Sequence, residues 1–141
     1  MGNWSTESSH KVANFLIAGY AFSGMLFLAV IYFGIGALLY AIGLPLARRR
    51  IKPNPWYGFR TIRTLKDPNI WYPANAFVGS KLVRFGMCLM ASSVACTFVP
   101  DVTEVAYAVG LTGLLLIGVA MITIQGFHFL AKLPVEQSPR R

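Results

Sequence analysis

Three stretches of the chain carry no Asp, Glu, Lys or Arg: residues 14–47, 85–100 and 105–131. About 20 apolar residues suffice to cross a bilayer as a helix, so the first and third runs qualify alone. The second qualifies when it begins near Asn75 and the long stems of Lys81 and Arg84 carry their charges to the interface. The pattern therefore predicts an all-α integral membrane protein with three transmembrane helices, at 14–46, 76–100 and 105–131. Between and around them lie a head at 1–13, a long interfacial loop at 47–75, a turn at 101–104 and a tail at 132–141. At about 1.5 Å per residue the first run exceeds a hydrocarbon core of about 30 Å. Its helix must tilt or leave the core, and Gly43-Leu44-Pro45 marks the expected exit.

Small residues recur at helix-packing spacing. Ala37 and Ala41 do so in the first helix, Ala91, Ser92, Ala95 and Cys96 in the second, and Ala106, Gly110 and Gly113 in the third. Such faces let helices approach closely in lipid. Packing within the chain is one use for them; contact with a second copy or another protein is the other.

Composition sharpens this picture. Of 141 residues 55% are hydrophobic and 13% charged, yet the net charge is +8. A chain this apolar is not disordered, and a soluble domain this small could not hide so much apolar surface. All basic residues except Lys11 fall in the long loop, at the adjoining end of the second helix, or in the tail. Short basic loops stay cytoplasmic. The expected orientation places the N-terminus outside, the loop inside, the Asp101–Glu104 turn outside and the C-terminus inside, in a bacterial cytoplasmic membrane. Met1-Gly2-Asn3-Trp4-Ser5 followed by Thr6 matches the myristoylation pattern, but that pattern requires a cytosolic N-terminus. Arg48, Arg49, Arg50, Lys52, Arg63, Lys66, Lys81 and Arg84 are the candidate contacts to anionic headgroups. Lipid explains this basic cluster more simply than nucleic acid does.

The chemistry is sparse. Cys88 and Cys96, about 12 Å apart on a straight helix, lie beyond disulfide reach. Gln125 and His128 lie one turn apart and could bond a neighbouring helix. No P-loop, GxSxG, HExxH or zinc spacing occurs. The sequence predicts no catalytic residues, no metal and no cofactor, and no enzyme.

The loop is the patterned part. Pro53 and Pro55 stiffen the chain, Gly58 permits a turn, and Asp67-Pro68 reads as a helix cap followed by its first residue. Trp56, Tyr57, Trp71 and Tyr72 suit the headgroup level. Arg60 and Arg63 would share a face if helical. Asp67 could pair with Arg60, Arg63 or Lys81, or act only as a cap.

Pro53-Asn54, Gly58-Phe59-Arg60-Thr61, Thr64-Leu65, Asp67, Trp71, Asn75 and Gly79 resemble the signature of the SdpI-like bacterial membrane proteins. That family's pattern runs P-N-x-x-x-G-[IF]-R-T-x-x-T-L, then an acidic residue, a Trp, an Asn or His, and a Gly. The resemblance implies a loop that follows one helix and leads into a closing helix pair. It also implies the role of the best-known member: immunity to a secreted antimicrobial peptide, with recruitment of a transcriptional repressor to the membrane. Three departures stand against it. Ile62-Arg63 replaces the frequent Pro-Trp, Pro73 interrupts a helix that is usually continuous, and the chain is shorter than the immunity protein.

Two functional expectations follow. One is a small immunity or signalling membrane protein whose loop binds an antimicrobial peptide or a protein partner. Pro53, Asn54, Gly58, Arg60, Thr61, Thr64, Asp67, Trp71, Asn75 and Gly79 are its candidate site. The other is an accessory or scaffold subunit of a larger membrane complex. A homo-oligomer fits either.

Overall fold

The computed structural model describes residues 4–134. The first residues of the myristoylation pattern lie outside them, as do Glu136, Arg140 and Arg141 of the tail. Four α-helices follow one another: α1 (Trp4–Ala47), α2 (Ile62–Lys66), α3 (Pro68–Ala95) and α4 (Glu104–Lys132), with a 3₁₀ turn at Cys96–Phe98. The segments Ser23–Ala47, Pro68–Phe98 and Glu104–Lys132 are long and apolar enough to cross a membrane. Among the described residues there is no strand.

The helix ends beside the loop and the turn have chemical causes. At the end of α1 the Arg50 N–H donates to the Pro45 carbonyl and the Arg49 N–H to that of Leu46, both at 3.0 Å. With Arg49 at φ 55°, this is a Schellman closure in which an arginine takes the position usually held by glycine. Pro45 therefore lies inside the helix, and the chain leaves α1 after Ala47. Asp67 caps α3, its side chain accepting from the Asn69 N–H, and Pro68 is the first helical residue. Thr103 caps α4, with Glu104 in its first turn and Lys132 in its last, charges that complement the helix dipole.

The second long helix begins at Pro68 rather than at residue 76. Pro73 does not interrupt it. So near the N-terminus a proline costs a single backbone bond, the one to the Asn69 carbonyl. The remaining loop is correspondingly short, and α2 occupies part of it.

α3 is the central helix, packing along α1 and, more lightly, along α4. Two pairs of glycines make the α1–α3 crossing. A Cβ on Gly79 would lie 2.5 Å from the Ala47 nitrogen and 2.7 Å from the Gly43 carbonyl oxygen. A Cβ on Gly86 would lie 2.5 Å from the Gly36 carbonyl oxygen. Only glycine permits backbones this close. Of the residues expected on small faces, Cys96 packs against the core toward the 3₁₀ turn, while others stay open. Ala41, Ala91, Ala95, Ala106 and Gly110 are exposed, and nothing lies within 4 Å of a Cβ placed on Gly110 or Gly113.

Toward the 3₁₀ turn the core holds Ala29, Tyr32, Leu89, Tyr107 and Leu111. Its polar atoms are paired: the Tyr32 hydroxyl donates to the Ala108 carbonyl at 3.0 Å and shares a 2.7 Å bond with Thr112 Oγ1, and Tyr107 donates to the Ser93 carbonyl at 2.6 Å. At the loop end Ile70, Ala74 and Leu130 form a second cluster, joined by Phe59 and Leu133.

Candidate functional site

The loop is held by its own side chains. Asn54 Oδ1 accepts from the N–H groups of Trp56 and Tyr57 at 3.0 and 2.8 Å, and its Nδ2 donates to the Lys52 carbonyl at 2.8 Å. This closes the turn after Pro53. The Tyr57 hydroxyl then donates to the Ile42 carbonyl of α1. Burial pushes the Tyr57 phenol above its usual value near 10. Gly58 follows at φ 111°, a conformation open to glycine, and a Cβ there would fall on Asn75 Oδ1.

Asn75, only 2% exposed, is the hub. Its Oδ1 accepts from the Phe59 N–H at 2.6 Å, and its Nδ2 donates to the carbonyls of Trp71 at 3.0 Å and Phe59 at 3.4 Å. Thr61 and Thr64 form a reciprocal capping box on α2: Thr61 N–H donates to Thr64 Oγ1 at 2.8 Å, and Thr64 N–H to Thr61 Oγ1 at 3.1 Å. Such a box satisfies two orphan donors at once. Thr64 is fully buried and Trp71 also, the indole N–H of Trp71 donating to the Ile51 carbonyl at 2.8 Å. Among the described residues no buried side-chain polar atom lacks a partner.

Against this scaffold the family comparison is specific. Residues 50–129 match the model of the SdpI/YfhL protein family. The chain belongs to this family. No curated protein and no solved structure matches it. As an SdpI/YfhL-family chain with three spanning helices, it is a membrane protein.

The positions expected to form a binding surface in this SdpI/YfhL-family protein are brought together, but mainly to fold the loop. Asn54, Gly58, Thr61, Thr64, Asp67, Trp71, Asn75 and Gly79 each have a local structural task described above. Pro53 is half-buried at the loop's entry. Arg60 differs: it is exposed, with one guanidinium N–H donating back to the Pro55 carbonyl. Trp56 and Ile62 beside it are 87% and 75% exposed.

Several expectations change. Arg60 precedes the cap of α2, so it shares no helical face with Arg63. Arg63 is not free for headgroups: its guanidinium donates to the carbonyls of Leu130 at 3.2 Å and Leu133 at 3.1 Å. Both carbonyls lie at the end of α4, where a cation suits the dipole, and that of Leu130 also accepts from the Leu133 N–H at 3.3 Å. Trp71 is core rather than belt. Asp67 is a cap, its Oδ1 2.8 Å from the Asn69 nitrogen. His128 is exposed on α4 and bonds no neighbouring helix. Arg48, Arg50, Lys52 and Lys66 are exposed at the loop end. Among the described residues no three His, Cys, Asp or Glu converge. Tyr57, expected at the headgroup level, instead ties the loop to α1, and its place after Asn54 was the available signal. The sequence did not announce the packing role of Gly36 and Gly43, whose seven-residue spacing repeats in Gly79 and Gly86.

Proposed function

We propose that this protein serves in immunity to an antimicrobial peptide, or in membrane-linked signalling, through the surface its cytoplasmic loop presents. It resides in the bacterial cytoplasmic membrane with its N-terminus outside and the loop and C-terminus inside. Family membership supports the immunity-type role, and the positive-inside bias supports the orientation. The observation that carries the reading is the division of labour in the motif. Its buried members are spent on folding the loop, whereas Arg60 is exposed, as are Trp56 and Ile62 near it in the sequence. An exposed arginine flanked by large apolar side chains is the composition of an interaction hot spot.

Replacing Arg60 tests this. Arg60→Ala is expected to abolish protection or regulator recruitment while the protein still accumulates in the membrane. Retained protection and recruitment in that variant would refute the reading. The accessory-subunit role is favoured by one observation, the open face of α4 at Gly110 and Gly113. It requires a fixed set of co-purifying partners in mild detergent.

A further inference from the structure

At the loop end of the bundle, a groove of about 530 Å³ is lined by Arg49, Lys81 and Arg84, with Ser80, Phe77 and Phe129 among its walls. No carboxylate lines it. Its apolar part is an aromatic pair: Phe77 and Phe129 stack with centroids 4.4 Å apart and planes 2° from parallel. Lys81 Nζ sits 5.5 Å from the centre of the Phe77 ring. Three cations around one groove repel one another, so an anion there gains from all three.

The cations are placed at different depths. Arg49 closes α1, whereas Lys81 and Arg84 belong to the spanning segment Pro68–Phe98. From Phe77 to Arg84 the helix rises about 10 Å. The groove therefore runs from the loop into the span, flanked by apolar helix surface. Arg49 also stands at φ 55°, where glycine would be unstrained. An arginine held there puts its charge on this groove instead.

We propose that this groove is a headgroup site for an anionic phospholipid. The guanidinium forks of Arg49 and Arg84 hold phosphate oxygens, Lys81 adds a point charge, and the acyl chains continue along the apolar surface below. The shared chemistry is a phosphate oxyanion. The lipid is the source that arrives laterally at a groove sunk in the span.

The test uses the full chain in dodecyl maltoside micelles doped with phosphatidylglycerol or phosphatidylcholine, with retained lipid read by native mass spectrometry. Phosphatidylglycerol is retained and phosphatidylcholine is not. Arg49→Gly, Lys81→Gln and Arg84→Gln each weaken retention about five-fold. Arg49→Gly keeps the fold, because glycine suits that backbone conformation, so its loss of lipid is not a folding defect. Arg48→Gln, an equal charge change at a neighbour that does not line the groove, lowers retention less than two-fold. Wild-type retention in Arg49→Gly and Lys81→Gln, or an equal loss in Arg48→Gln, overturns the site in favour of diffuse charge attraction. Displacement of the lipid by millimolar inorganic phosphate overturns the lipid assignment, leaving a free-phosphate site.

Discussion

Asn75→Ala is the most informative single change in the loop. The variant deletes the acceptor that lies 2.6 Å from the Phe59 nitrogen and the donor that bonds the Trp71 carbonyl at 3.0 Å. Asn75 is 2% exposed, so water does not simply replace it. Leaving one such group unsatisfied costs about 1–3 kcal/mol. The perturbation is local to the loop, and about 2 kcal/mol corresponds to a rise of about 30-fold in its open population. Trypsin reads that population directly, because Arg60, Arg63 and Lys66 lie in the affected segment and cleavage tracks the open fraction when closing is fast. The expected result is tryptic cleavage at these sites 10- to 100-fold faster (about 1.4 kcal/mol per decade), with the spanning helices still protected. A second change sharpens the test. Gly58→Ala adds a Cβ that falls on Asn75 Oδ1. In the double variant that clash is gone, though the φ of 111° remains unfavourable. The combined cost should therefore be less than the sum of the two. Cleavage within two-fold of the wild type in Asn75→Ala, or strict additivity in the double variant, would refute the hub assignment.

Three further outcomes are expected. Gly79→Ala puts a methyl 2.5 Å from the Ala47 nitrogen and should cost about 1–3 kcal/mol by overpacking. Gly110→Ala, with open space around it, should be neutral or slightly stabilising, and unfolding in sodium dodecyl sulfate compares the two. Arg63→Ala removes two bonds to the end of α4, and hydrogen exchange should accelerate near Leu130 and Leu133 about 10-fold or more, since hydrogen bonds to charged groups contribute about 1.5–3 kcal/mol. Tyr57 must be neutral in the fold. Its raised value means its contribution is complete below pH 10 and lost as pH rises through the folded value. Loop protection against a protease active at high pH should fall in that range, and Tyr57→Phe should show a flatter alkaline limb.

The bundle was legible because the bilayer imposes simple rules. Charge-free runs located all three spans, and Asp67-Pro68 announced the true start of α3 from local chemistry. The hydropathy run placed that start too late, because residues 68–75 include two prolines and two asparagines while remaining helical. Pro73 misled for a related reason: its cost depends on distance from the helix N-terminus, which composition does not convey. The glycine crossing was hidden because the small residues of the two helices were weighed separately. Gly36, Gly43, Gly79 and Gly86 acquire meaning as two antiparallel pairs. In the loop, Asn75 and Thr64 were recognised as motif positions. Their bonds reach backbone groups of Phe59 and Trp71, and a pattern of side chains does not announce a backbone partner.

The attachment of the loop to α4 bears on the order of assembly. Phe59 meets Phe127 edge to face with centroids 5.1 Å apart, and Arg63 reaches Leu130 and Leu133. Synthesis proceeds from the N-terminus, so residues 50–67 emerge well before these partners exist. Asn54 can close its turn at once, but the far wall of the loop arrives with the last helix. The finished loop surface is thus a late product of biogenesis, available only on molecules whose third span has been inserted.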